Sequence, residues 1–470
     1  MKTRFLLLTL ALGLGFALAL LGWLTGRVYV VRAYPGIRYV APDGVAGGLC
    51  DSIADRCRRV QRALDVADPF DEIRVTRGIY TDTAGTVATI DKTVTLLGGY
   101  DDSFTLRDPS TYRSILDAQR NGRVVQISGN ISPTLDGFVI TGGNANDESR
   151  SRGRAGGILS SGASPIIQNN VITNNIAYTG TSPWGHGGGI YLYQASASAV
   201  ISGNRVLSNT ASTTYYGLGG GMSLFESAAT VSGNEISGNS AGRGGAGVYL
   251  YDSDGVTFEG NQVVGNTAIV SPTGESYGGG LYVEYTGPFT LTNNVIARNR
   301  VNTAGGGLYV YGYTGTSGSA GTLVNNTIAQ NNLGGGAEGV FLTGYTSLTL
   351  TNNIVVSHTY GIYAHVNCTA TARYTLFYDN ASGDTAGGGF ISNSHATTGQ
   401  DPLFMNPAGW NYHLLAGSPA IDAADPAGVP PAPATDIDGQ ERPIGLGVDI
   451  GADEAQPPIF LPVVFRNNAP

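Results

Sequence analysis

Two signatures alternate through the middle of this chain at a spacing that no ordinary domain produces. One is a glycine cluster followed by an apolar alternation: Gly187-Gly-Gly-Ile190-Tyr-Leu-Tyr193, Gly219-Gly-Gly-Met222-Ser-Leu-Phe225, Gly278-Gly-Gly-Leu281-Tyr-Val-Glu284 and Gly305-Gly-Gly-Leu308-Tyr-Val-Tyr311. The other is a pair of asparagines, as in Asn170-Val-Ile-Thr-Asn-Asn175, Asn204-Arg-Val-Leu-Ser-Asn209 and Asn261-Gln-Val-Val-Gly-Asn266. The first asparagine recurs at 170, 204, 234, 261, 294, 326 and 353, a repeat of 27 to 34 residues. That interval is too short for a domain and suits one turn of a solenoid. Alternation with a period of two means short strands, at least two in each repeat. Nothing between them has the amphipathic spacing of a helix, so the expected architecture is an all-β, parallel β-helix.

Stacking the repeats yields columns. Ile158, Ile190, Met222, Val248, Leu281, Leu308, Val340 and Ile362 align, and so do Leu192, Leu224, Leu250, Val283, Val310 and Leu342 two positions on. These aliphatics face the lumen, with neighbours about 4.8 Å apart along the hydrogen-bonding direction. Ile167, Ile201, Val231, Phe258, Leu291, Leu323 and Leu350 form a further inward column before the asparagines. Each aligned asparagine is expected at a bend, in the left-handed region, passing side-chain amide bonds from coil to coil. Tyr191, Tyr249, Tyr282, Tyr309, Phe341 and Tyr363 share one outward position, and Tyr193, Phe225, Tyr251, Tyr311 and His365 the next. In this register a double aromatic stripe runs roughly 30 Å along one face. Cross-strand packing accounts for such a stripe. So does a platform for sugar rings, whose C–H faces stack on aromatics while tyrosine hydroxyls take hydrogen bonds.

Composition agrees. With 70 glycines in 470 residues a helical bundle is excluded, since each interior glycine costs a helix about 1 kcal/mol. The glycines keep no period of three, so collagen is excluded too. Charged residues are only 13%, and Lys2 and Lys92 are the only lysines. The net charge of −9 has no basic stripe within it, which argues against nucleic acid as a partner.

At the start of the chain, Lys2 and Arg4 precede an apolar run from Phe5 to Leu24. Residues 1–33 are expected to be a signal peptide, with Val31 and Ala33 at the −3 and −1 positions, or a retained N-terminal anchor. Either way the body is exported, and membrane contact is confined to this segment if it is uncleaved. Cys50 and Cys57, with six residues between them, are expected to form a disulfide in an oxidising compartment, and Cys368 to be a buried apolar residue. Residues 54–67 have helical spacing, with Ile53, Val60, Leu64 and Ala67 on one side, and suit an N-terminal helical cap over the open tube. The expected division is 34–90 for the cap and first coil, 91–400 for the β-helix, 401–455 for a C-terminal capping and anchor region, and 456–470 for an apolar tail too short to span a membrane.

The segment Leu135-Asp-Gly-Phe-Val-Ile-Thr-Gly-Gly143 with Gly156-Gly-Ile158 resembles bacterial surface proteins with polymorphic-outer-membrane-protein-like repeats, within the right-handed parallel β-helix fold of the pectin-lyase-like superfamily. Asp401-Pro-Leu-Phe404, Tyr412-His-Leu414, Gly417-Ser-Pro-Ala-Ile-Asp422, Asp436-Ile-Asp-Gly439, Arg442-Pro443, Asp449-Ile-Gly-Ala452 and Glu454 are similar, in that order, to the choice-of-anchor Q region. The resemblance spans about residues 38 to 455 and implies an exported, surface-associated right-handed solenoid; it assigns no chemistry. Asp436 and Asp438 beside Gly439 could bind Ca²⁺ or cap turns, although a full calcium site needs six or more oxygens.

Many members of that superfamily cleave polyuronides. Gly185-His186-Gly187 matches three residues of the galacturonan hydrolase pattern but falls within the recurring glycine cluster, and neither paired aspartates nor a downstream Arg-x-Lys accompanies it. The best catalytic candidates are Glu226 and Asp252, at equivalent positions of successive coils, and Glu284 one position earlier in its own coil. Stacked acids about 5 Å apart would split their pKa values or hold a cation, and that separation suits a retaining glycosidase. As solvated turn residues they would do neither. The expectation is therefore a non-catalytic surface rod. Its face of Tyr191, Tyr193, Phe225, Tyr249, Tyr251, Tyr282, Tyr309 and Tyr311 would bind polysaccharide or a cell-envelope component. A polysaccharide lyase or glycoside hydrolase is the alternative, and a structural spacer the second.

Overall fold

The computed structural model describes residues 35–456, apart from 83–84, 147–152, 180–183, 213–215, 269–273, 314–317 and 332–337. The expectations for residues 1–33 and for the tail beyond 456 lie outside the described residues. Among those described, no helix is long and apolar enough to cross a membrane.

Three parallel sheets of 13, 11 and 12 strands wind around one lumen. A single coil shows the plan: Val248–Tyr251 in one sheet, Thr257–Glu259 in the next, Gln262–Val264 in the third. The third strand lies between the two asparagines of each repeat, where the sequence required only two strands per turn. The aliphatic columns fall into register as expected, Val248 pairing with Leu281 and Leu281 with Leu308, and all are buried. Burial of each such side chain contributes about 1.5–3 kcal/mol, repeated coil after coil.

Both asparagines of the repeat form buried ladders. Asn234 Nδ2 donates to Asn261 Oδ1 (2.9 Å), and Asn261 Nδ2 to Asn294 Oδ1 (3.0 Å); the second file does the same from Asn239 to Asn266 (3.0 Å) and Asn266 to Asn299 (3.0 Å). The left-handed residue is not the ladder asparagine, as expected, but the one before it: Asn169, Gly203, Gly233, Gly260, Asn293, Asn325 and Asn352 all have positive φ. The turn is made by that residue, which frees the ladder asparagine to point inward with both amide hydrogens engaged. The glycine clusters follow from the second ladder. A Cβ on Gly247 would lie 2.6 Å from Gly280 O and 3.1 Å from Asn266 Nδ2, and Gly280 stands in the same relation to Gly307 O and Asn299 Nδ2. The wall beside the ladder has room for backbone only.

His358 stands where the second ladder expects an asparagine. Asn331 Nδ2 reaches its Nε2 at 3.3 Å, and its Nδ1 is buried without a partner. Burial pushes its pKa down from 6.5 to about 3, Asn380 opposing. The unfolded chain therefore takes up this proton near pH 6.5 while the folded one refuses it down to about 3. Stability from this group is complete above pH 6.5 and is lost at about 1.4 kcal/mol per unit as pH falls toward 3. His358→Asn, which continues the ladder, is expected to flatten this acid limb without loss of stability at pH 7, as read by urea unfolding at a series of pH values.

At the N-terminal end, Cys50 and Cys57 are joined and Cys368 is free and buried. The only helix longer than one turn among the described residues is α1, Val60–Val66, shorter than the expected 54–67. Cys57, tied to Cys50 and bridged to Val40 and Val45, holds the preceding residues out of it. Val60, Ala63 and Leu64 join the lumen core.

Residues 401–455 do not cap an end of the tube. They lie against its flank, where Tyr412, Leu414, Ala420, Ile450 and Ala452 cover Val264, Val295, Ala297, Ala329, Ile354 and Val356. The turn asparagines hold them: Asn293 Nδ2 donates to Thr435 O (2.5 Å), Asn325 Nδ2 to Asp449 O (2.8 Å), and Asn352 Oδ1 accepts from Asp425 N (2.8 Å). Buried Arg442 is the hub of the flank, bonding Glu454 (2.9 Å), Gly451 O (2.9 Å) and Asn293 Oδ1 (3.3 Å). Asp436 accepts from the backbone N–H groups of Asp438, Gln440 and Glu454, which is the turn-capping role. Ending the chain at residue 400 is expected to expose this apolar flank and yield a soluble-aggregate or insoluble product, as measured by size-exclusion chromatography against the full chain.

Candidate functional site

The outward tyrosines are in register, Tyr249 pairing with Tyr282 and Tyr282 with Tyr309, but the inner file is not open to solvent. Tyr191, Tyr249, Tyr282 and Tyr309 are 0%, 2%, 5% and 8% exposed. The chain between the second asparagine and the glycine cluster folds back over them as a low outer wall, in which Arg154, His186, Leu218, Gly244, Tyr277 and Ala304 bridge from coil to coil. Leu218, Tyr277 and Ala304 pack on the tyrosine rings. The expected solvent-facing double stripe is thus corrected to one roofed file and one half-buried file of Tyr193, Phe225, Tyr251 and Tyr311, the latter interrupted by Glu284.

Ser223 sits between Tyr191 and Tyr249 in the inner file, where the adjoining coils carry rings. Beside this gap lies a cleft of about 370 Å³. Its back is Tyr191, Tyr249 and Tyr282, its rim Trp184, Phe225, Tyr251 and Tyr285, and its polar groups are Arg154, His186, Arg243 and Glu284. The His186 ring leans into the gap, 6.1 Å from both Trp184 and Tyr249 and nearly parallel to Trp184. Phe225 stacks on Tyr251 at 4.2 Å. A second hollow of about 260 Å³, lined by Tyr251, Asp252, Tyr285 and Tyr313, continues the cleft across the shared Tyr251 and Tyr285.

Charge in the cleft is unevenly matched. Glu284 accepts from Tyr249 Oη at 2.7 Å, and burial, with Glu284 next, raises the Tyr249 phenol well above its usual pKa and keeps it a donor. Desolvation, with Arg154 adding, pushes His186 down to about 4, so the imidazole is neutral at pH 7. Arg154 lies over Tyr191 (5.2 Å) and Tyr193 (5.6 Å), and Arg243 over Tyr216 (5.0 Å). Neither guanidinium has a carboxylate within ion-pair distance among the described residues. Arg154 Nε, His186 Nδ1 and Tyr191 Oη are buried without a hydrogen-bond partner there. Each such orphan costs about 1–3 kcal/mol, and the three cluster beside one cleft.

Of the expected binding residues, Tyr191, Phe225, Tyr249, Tyr251 and Tyr282 line the cleft, whereas Tyr193, Tyr309 and Tyr311 do not. The three candidate acids do not form one site. Glu226 and Asp252 are exposed left-handed turn residues, Glu226 held by Gln194 Nε2 (2.9 Å) and Asp252 bordering the second hollow; only Glu284 lines the cleft. Arg154, Trp184, His186, Arg243 and Tyr285 were outside the expected set. Most of these come from the stretch between the second asparagine and the glycine cluster, which is 12 residues from Asn175 to Gly187 but 6 from Asn239 to Gly245. That unevenness was visible in the sequence and marks where the outer wall is built and breached.

The three-sheet parallel solenoid defines the class of fold, and comparison makes that class specific. The family model for the right-handed β-helix region matches residues 111–296 and 273–419, so the chain belongs to that family. Among solved structures, pectate lyase Pel9A aligns over 90% of this chain and 97% of its own at 14% identity, with a TM-score of 0.47. XylC in complex with xylose aligns over 88% and 98% at 9% identity, with a TM-score of 0.41. No curated protein matches.

Proposed function

We propose that the protein is an exported, surface-displayed β-helix that binds a polysaccharide bearing acidic sugars in the cleft walled by Tyr249 and Tyr282, and does not cut it. The observation that carries this reading is the set of unpartnered polar atoms, Arg154 Nε, His186 Nδ1 and Tyr191 Oη, in an aromatic-walled cleft. Sugar hydroxyls satisfy such atoms while the ring stacks on Trp184 or Tyr251. Two arginines without carboxylate partners among the described residues, in a chain of net charge −9, favour a carboxylate on the guest. The hollow beyond Tyr285 adds room for further units of a polymer.

Hydrolysis by the usual route needs two carboxyl groups facing the scissile bond, and among the described residues Glu284 lines the cleft while Asp252 borders only the adjoining hollow. The disulfide favours an oxidising compartment. On the same reading, α1 closes the N-terminal opening of the tube, and the flank, similar in motif order to choice-of-anchor Q regions, belongs to the surface-attachment end.

The test is retention on arrays of acidic and neutral polysaccharides, with polyuronides also assayed for new reducing ends and unsaturated products. Binding to acidic glycans that weakens at least about tenfold in Trp184→Ala, with no products formed, is the expected result. Equal retention of wild type and variant, or no retention at all, would overturn it.

A further inference from the structure

In the C-terminal flank, three residues from three separate segments converge: His413 on the strand Asn411–Leu414, Asp438 in the turn after Asp436, and Asp453 beside the tube. One ligand atom from each lies within 4.8 Å of the others. We infer that His413, Asp438 and Asp453 bind a single divalent transition-metal ion, zinc by the chemistry of the donors, at the seam between flank and tube. The inference is independent of the sugar cleft.

The histidine is set up for it. Asn411 Oδ1 accepts from His413 N (3.1 Å), which fixes that atom as the oxygen, and the same oxygen lies 2.6 Å from His413 Nδ1. Nδ1 therefore carries a hydrogen, and Nε2 is left facing the carboxylates, 2.5 Å from Asp438 Oδ2 and 3.9 Å from Asp453 Oδ1. A second partner that fixes the tautomer is what metal-binding histidines have. Asp453 is 6% exposed; its Oδ2 accepts from Leu414 N (2.6 Å), while Oδ1 faces the histidine with no donor of its own. Beside the group lies a cavity of about 20 Å³, bounded by His413 and Asp453 on one side and by Gln262 and Val295 of the tube on the other. That volume suits a single ion or water. One imidazole nitrogen with two carboxylate oxygens matches zinc rather than calcium, which takes six to eight oxygens. A tetrahedral ion held so keeps a fourth position free toward that cavity.

A proton on Nε2 is the competing way to join the same groups, and the experiment separates the two. The full chain, stripped with EDTA and desalted, is titrated with Zn²⁺ by calorimetry and with Co²⁺ by visible absorption, and Tm is followed in each. Expected are one ion per chain, a tetrahedral Co²⁺ spectrum, and a Tm raised by at least about 2 °C at a hundredfold excess over Kd. His413→Ala and Asp453→Asn should each lose these responses. If either variant fails to fold, the wild-type stoichiometry and Co²⁺ spectrum decide alone. No bound ion and an unchanged Tm in wild type, or an undiminished response in a folded His413→Ala, would overturn the site.

Discussion

Asn261→Leu is expected to cost at least about 4 kcal/mol, enough to open the middle of the solenoid. Asn261 Nδ2 donates to Val231 O (2.9 Å), Glu259 O (3.1 Å) and Asn294 Oδ1 (3.0 Å), while its Oδ1 accepts from the backbone N (2.9 Å) and Nδ2 (2.9 Å) of Asn234. Leucine has nearly the same shape and makes none of these bonds. Several buried groups on the coils above and below are orphaned together, with no water to take the missing places. Asn261→Asp keeps the acceptor side but puts a charge where two donors are required, and should be as damaging. Because each coil contacts only its neighbours, the loss should be local at first. Urea unfolding with limited proteolysis reads both aspects, cleavage appearing between residues 234 and 294. A loss under about 1 kcal/mol would mean that the aliphatic columns hold the coils together without the ladders.

Arg154→Ala is expected to weaken binding of an acidic oligosaccharide by about 30- to 100-fold, a loss in line with a charge-assisted pair in a desolvated cleft. Its side chain makes no ion pair among the described residues, and Arg123 bonds only its backbone oxygen, so folding should be unaffected. Arg154→Lys should not restore affinity, since a lysine neither stacks flat over Tyr191 nor offers a fork to a carboxylate. A neutral oligosaccharide of the same length should lose far less. Calorimetry on the two ligands with the three proteins settles the matter, and a uniform loss across both ligands would assign Arg154 to packing.

The tube itself was legible. The columns from Ile158 to Ile362 and from Ile167 to Leu350 paired as the spacing required, because a period of two around a closed lumen leaves each residue one of two sides. What the spacing could not convey was the company each outward residue keeps. Tyr191 and Tyr309 alternate as solvent-facing residues should, yet the stretches that precede the glycine clusters fold back over them, and only their tertiary placement shows it. The same holds for Glu226, Asp252 and Glu284, whose stacking was readable but whose separation into turn and cleft was not. After the Gly-Asn pairs at 203–204, 233–234 and 260–261, the doubled asparagines return at 293–294, 325–326 and 352–353, and these are the coils on which the flank docks, whereas the doubled pair of the first coil, Asn169-Asn170, bonds Asp136 instead.

The ladders also bear on how such a chain can change length over evolutionary time. Every coil hands its neighbour the same amide it receives, so duplicating one whole repeat among residues 170–260 adds a rung and leaves no bond unmade. A partial duplication breaks both files at once. Between Asn293 and Asn352 even a whole extra rung is forbidden, because the flank is keyed to those turns at fixed heights. The molecule is therefore free to grow on one side of its C-terminal flank and frozen on the other, and related chains should differ in reach mainly through the upstream coils.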